Sequence, residues 1–195
     1  MTAYTKIDVA EAHIKTAVRL FFEDRPPVPI HLLACSAREI LTWIGKRTGV
    51  ETIVEEVAGH MATTEADVIK KAHKFANFMK HADRDAAEIL EGFSDLDNDP
   101  VLFFACHDFG RLAHGMPVEA QVFEAWFFAT TVKDLSKGSK DWQEIVANCF
   151  DLFPGIRSAD RAQQKRIGLH KLAEALADPS LEMEIKRVVE LPAKR

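Results

Sequence analysis

"VAEAHIKTAVRLFFEDRPPVPIHLLACSAREILTWIGKRTG" (residues 9–49) carries two apolar stripes at helical spacing on either side of a proline cluster. Ile14, Ala17, Val18 and Phe21 return to one side of a 3.6-residue turn, which predicts a first helix. That helix stops before "DRPPVP", because Pro26, Pro27 and Pro29 cannot continue a helix interior. Pro29 suits the first turn of a second helix, which closes with Lys46, Arg47 and then Gly49, a helix-stop combination.

The same pattern continues along the chain, and no stretch alternates apolar and polar residues long enough to read as a strand. "VETIVEEVAGHM" (50–61) predicts a short helix. "TTEADVIKKAHKFANFMKHADRD" (63–85) predicts a longer one, with Thr63 or Thr64 as cap and Glu65 and Asp67 complementing the dipole. "AAEILEGF" (86–93) reads as one or two helical turns before the acidic loop "SDLDND" (94–99). Asp99 reads as an N-cap, with Pro100 opening "VLFFACHDFGRLAHG" (101–115). "VEAQVFEAWFFATTVKDL", "DWQEIVANCFDLF", "SADRAQQKRIGLHKLAEALA" and "SLEMEIKRVVEL" complete the series. No repeat of solenoid length is present. The expected fold is all-α, an irregular helical bundle of about seven to nine helices in a single domain, 1–195. "SKGSK" (136–140) is the one linker that can set off a carboxy-terminal helical subdomain, 140–195.

Composition narrows the function classes. The chain has 195 residues, 47% of them hydrophobic, enough for one well-filled core, and a net charge of -5. Nucleic acid or an anionic membrane would therefore need a local basic patch. The amino terminus lacks the apolar run of a secretory signal, and "VLFFAC" (101–106) is far shorter than a membrane span, so a cytoplasmic protein without membrane association is expected. Cys35, Cys106 and Cys149 lie far apart in apolar surroundings and read as reduced core residues.

No glycine-rich phosphate loop or nucleophile elbow appears, and no cofactor is expected. Asp95, Asp97 and Asp99 begin a calcium-loop pattern that fails at Pro100 and Cys106, where Gly and a bidentate Glu are required. His107, Arg111 and His114 share a helical stripe with Asp108 at its margin, two histidines and a carboxylate, but the two histidines stand about 10 Å apart along it, too far for one ion. No metal site is expected. Phe123, Trp126, Phe127 and Phe128 place aromatic rings on more than one side of their helix, as in a central core helix or one that also meets a partner.

The one concentration of chemistry lies in "HKFANFMKHADRD" (73–85). Val68, Ala72, Phe75, Ala76 and Met79 form its apolar face, and Lys70, His73, Lys74, Asn77, Lys80 and His81 the other. Residues 70–84 hold five Lys or Arg against one Asp, whereas residues 85–108 hold seven Asp or Glu and no Lys or Arg. A solvated basic helix end accounts for this pattern. The functional alternative makes His81 a general acid or base beside Asn77, oriented by Asp83 or Asp85, with Lys80, Arg84 and His73 holding a phosphate.

"NFMKHADRD" (77–85), together with "AVRLFFEDRPPVPIHLLACSAREIL" (17–41), resembles a family of uncharacterised bacterial all-helical proteins over roughly the first 110 residues. More remotely, a long antiparallel helix pair followed by an Asn/Lys/His helix is similar to HEPN domains, helical modules of toxin ribonucleases and of nucleotide-binding or regulatory proteins. That similarity implies an Arg preceding a His on or near one helix, both acting at an RNA phosphodiester. Here Ala76 and Asn77 precede His81, so the polar residue and the His are present and the Arg is not. The expectation is a non-enzymatic interaction or regulatory module, its partner a protein or a second copy. The alternative is a HEPN-like RNA- or nucleotide-directed enzyme working through the basic face Lys70–Arg84.

Overall fold

The computed structural model describes residues 3–60, 64–81, 83 and 86–187. They form an all-α, irregular bundle, with eight α-helices of eight or more residues and no strand among the described residues. The helices are α1 (Lys6–Phe22), α2 (Pro27–Thr48), α3 (Ile53–His60), α4 (Glu65–Lys80), α5 (Asn98–Ala113), α6 (Val118–Thr131), α7 (Lys140–Leu152) and α8 (Arg161–Leu176).

Capping chemistry sets most of the boundaries. Thr5 and Asp8 form a reciprocal capping box at the start of α1. Asp24 then turns the chain with φ 55, a left-handed conformation that Asp adopts more readily than most residues, and its carboxylate accepts from Lys165. Pro27 occupies the first position of α2, where a missing N–H costs nothing, and Gly49 ends that helix at φ 73. Thr64 accepts from the Asp67 N–H at the start of α4.

α2 packs along α1 on one side and α5 on another, while α6 joins α5 to α1, α7 and α8. At their meeting point Phe21, Phe22, Phe123 and Trp126 are all buried, with Phe21 edge-on to Phe123 and Trp126 at centroid distances of 5.1 Å. Gly168 brings α8 against this cluster, since a Cβ there would overlap the Phe22 ring. Cys149, Phe153, Ile156, Leu172 and Ala175 belong to the same apolar cluster as the residues of α1 and α2. The three cysteines are buried and free, and burial pushes the Cys35 thiol up to about 11 and the other two upward as well.

Three local expectations are corrected. "AAEILEGF" contains no helix over residues 88–93, and Ile89 stands 82% exposed. Asp99 does not cap. The capping box belongs to Ser94 and Asp97 on a 3-10 turn, Asp95–Asp97, that runs directly into α5. "SLEMEIKRVVEL" does not form the expected helix over its described part. A 3-10 turn, Pro179–Leu181, leads into a strap that lies across the end of α5. There the Lys186 N–H donates to Ala113 O at 2.8 Å, and only glycine at 115 leaves room for the Glu184 backbone. Arg187 ties the strap to Asp8 and Glu11 of α1.

Candidate functional site

The carboxyl end of α4 and the segment after it enclose an open groove of about 410 Å³, walled by Lys74, Asn77 and His81 on one side and Glu88 to Glu91 on the other. Asn77 and His81 meet here because they lie four residues apart on one helix face. His81 is the C-cap residue, its N–H donating to Asn77 O at 3.2 Å, and its ring is 43% exposed. Asp83 Oδ1 lies 4.0 Å from His81 Nδ1, an electrostatic neighbour beyond hydrogen-bond length. Lys80 points elsewhere, its Nζ 3.8 Å from Glu39 on α2. Lys74 supplies the groove's cation and lies over the Phe75 ring at 4.8 Å. Arg84 and Asp85 lie outside the described residues, as does the His73 side chain.

Behind the groove floor lies a line of buried polar groups on the inner face of α2. His31, 1% exposed, packs edge-on to Phe75 and Phe93 and meets Asn98 at 3.1 Å through Nδ1. Two turns further on, Arg38 is 1% exposed, and its Nε and Nη1 have no hydrogen-bond partner. Thr42 Oγ1, one turn beyond, is buried and equally unpartnered. Asp108 of α5, fully buried, accepts from the Ile53 N–H at 2.7 Å and so caps α3, while its other oxygen has no partner. Burial pushes the Asp108 carboxyl up to about 6, against the opposing pull of the Ile53 N–H and nearby cations, and burial lowers the Arg38 guanidinium.

The amino end of α8 holds a different arrangement. Arg161 makes a two-pronged contact with Asp99 at 2.6 and 2.8 Å and a third bond to Asp95 at 2.9 Å. Lys165, 2% exposed, reaches Asp24 at 2.8 Å and Asp95 at 2.7 Å. Both cations also lie over the Phe21 ring, at 5.0 and 4.8 Å. Burial raises the Asp99 carboxyl, and the Arg161 contact opposes the rise. Two of the three aspartates of the failed calcium pattern therefore bind these cations, and the third, Asp97, belongs to the Ser94 capping box.

The third feature is apolar. On the outer face of α2, Trp43 is 63% exposed and stands in a groove of about 490 Å³ floored by Ile40 and Ile44, with Lys6, Glu39 and Arg47 at its rim. Tryptophan buries a large area when covered, so its exposure on a helix that is otherwise a core element is conspicuous.

The remaining candidates are occupied. His107 Nδ1 meets Glu124 at 2.7 Å, Arg111 pairs with Glu56 at 2.6 Å, and His114 takes the left-handed C-cap of α5. Among the described residues no group of three His, Cys, Asp or Glu is placed to hold a metal ion, and no helix is long and apolar enough to cross a membrane. Comparison of the chain with protein-family models, curated proteins and solved structures returns no match.

Arg38 and Trp43 were not singled out from the sequence, and Asp108 was placed only at the margin of the His107, Arg111 and His114 stripe. Arg38 shares its helix stripe with His31, Ala34 and Leu41, a pattern in which a lone Arg is a detectable anomaly. Trp43 carried the complementary signal, since it falls about 160° off that stripe.

Proposed function

We propose that this protein is a bacterial, cytoplasmic, non-enzymatic interaction or regulatory module whose working surface is the outer face of α2. The exposed Trp43, seated over Ile40 and Ile44, carries this reading. A tryptophan flanked by apolar side chains and a charged rim has the composition of a binding hot spot. The described cysteines are buried and their thiols raised, which argues against nucleophilic use. The test is a photo-crosslinking residue placed at Arg47 in the full chain, compared in cells with and without Trp43→Glu. A Trp43-dependent adduct is expected, and the absence of any adduct would sink the proposal.

The groove at His81 favours a second reading, a HEPN-like RNA- or nucleotide-directed enzyme. Its support is the shared placement of His81, Asn77 and Lys74 around one cleft. His81 would move the proton, with Lys74 holding a phosphate. Purified wild type and His81→Ala are compared for RNA binding and cleavage at low and moderate salt. Cleavage lost only in the variant supports the enzyme, and an inactive wild type removes it.

A further inference from the structure

The outer face of α2 has a regularity that identifies what covers it. Leu33, Ser36, Ile40, Trp43 and Arg47 follow one another at alternating spacings of three and four, the repeat of a coiled-coil seam. None of the five is buried: Leu33, Ser36 and Ile40 are half-covered, and Trp43 and Arg47 are exposed. The seam extends for about 21 Å along the helix, the length of a helix-on-helix contact. Its inner counterpart on α2 is spent on α1 and α5, and α4 meets the flank that carries Glu39, whereas Lys6 is the one described residue outside α2 that lines the groove over this second seam.

The charges around the seam are self-complementary. If a second α2 is laid antiparallel about a two-fold axis between Leu41 and Thr42, Ile40 comes opposite Trp43 of the other copy, and Trp43 opposite Ile40. Ser36, the one small residue in the seam, comes opposite the long Arg47 side chain, twice. Glu39, on the flank of the seam where it also meets Lys80 at 3.8 Å, comes opposite Ile44 and within about 3 Å of the level of Lys46 on the same flank of the other copy, also twice. A parallel arrangement would set Arg47 against Arg47 and remove both attractions. Self-complementarity about a two-fold axis is what an isologous homodimer requires and what an unrelated partner has no reason to match.

We infer that α2 is the homodimerisation helix of this protein, packing antiparallel on α2 of a second copy with Trp43 and Ile40 at the centre. This inference rests on the proposed interaction function and names its occupant.

Sedimentation velocity of the full chain, from micromolar to hundreds of micromolar, tests it. Wild type is expected to shift from monomer to dimer. Trp43→Glu, at an exposed position that leaves the core untouched, is expected to weaken association by about 30-fold or more at unchanged helicity. Glu39→Arg and the double variant Lys46→Glu, Arg47→Glu are each expected to weaken self-association, and their mixture to restore a heterodimer. A dimer indifferent to Trp43→Glu, or a charge-swapped mixture that stays monomeric, overturns the assignment. A wild type that remains monomeric throughout also overturns it. In that case the Arg47 crosslink separates the two failures: an adduct to a different protein leaves the interaction function standing, and no adduct removes both.

Discussion

Two sets of buried charges, at opposite sides of α5, obey opposite rules. Around α8, Arg161 and Lys165 are matched by Asp24, Asp95 and Asp99 with bonds of 2.6 to 2.9 Å, and aromatic rings lie beneath both cations. Under α3 and α4, Arg38, Thr42 and Asp108 are as deeply buried as Lys165 and Asp99, and more so than Arg161, Asp95 and Asp24, yet each keeps at least one polar atom without a partner. Burial makes an unmet donor or charge expensive, so a satisfied network works as a fastener, whereas an unsatisfied one is a cost carried by the fold. Depth of burial alone therefore does not reveal what a charge is for. The difference lies in whether its valences are met.

Substitutions sharpen that contrast. The largest effect is expected at Arg161→Met, which strands Asp99 in the core and should destabilise by about 3–5 kcal/mol in urea unfolding. A loss near zero would mean that the α8 network is no fastener.

Next is the pH dependence of the other set. The Asp108 carboxyl titrates at about 6 when folded, above the unfolded value of about 3.9, so the folded state holds its proton longer. Stability from this group is greatest below about pH 4 and falls as pH rises to about 6, by about 3 kcal/mol in all. Asp108→Asn keeps an acceptor for the Ile53 N–H and should flatten the slope in that window. An unchanged slope would remove Asp108 as its source.

A smaller loss, about 1–3 kcal/mol, is expected for Gly168→Ala, because the new methyl forces Phe22 or α8 aside and misplaces the cations that α8 carries. A wild-type melting temperature would show that α8 tolerates the shift.

The smallest change is expected at Arg38→Met, which keeps the side chain's bulk and deletes its unmet donors. At pH 5, with Asp108 mostly protonated, the variant should lie within about 1 kcal/mol of wild type or above it. A loss as large as that of Arg161→Met would erase the distinction between the two sets.

The helices themselves were legible because their apolar spacing repeats over many turns, as at Ile14, Ala17, Val18 and Phe21 in α1. The failures have local causes. "AAEILEGF" has helix-favouring composition but leaves Ile89 exposed, whereas α3, equally short, buries Ile53, Val54 and Ala58 and is capped by Asp108, which offsets nucleation. The strap after Pro179 has a helical composition overruled by its docking at Ala113 and Gly115. At the candidate site, Asn77 and His81 could be placed together because four residues return to one face. The cation that joins them was legible on the same ground, because Lys74 lies three residues before Asn77 and seven before His81, while Lys80 falls about 100° round the helix and meets Glu39 of α2. Which partner a side chain meets across the fold joins distant parts of the chain, and helical periodicity carries no record of it. The pairing of Arg161 with Asp99, across 62 residues, was hidden for the same reason.

The bond from Lys165 to Asp24 spans 141 residues. Loop closure over such a length is costly before any contact rewards it, so this network is expected to assemble late in folding, after the local α1–α2 hairpin. Substitutions in it should therefore accelerate unfolding and leave the refolding rate nearly unchanged. The α8 charges then govern how long the folded molecule persists more than how quickly it forms.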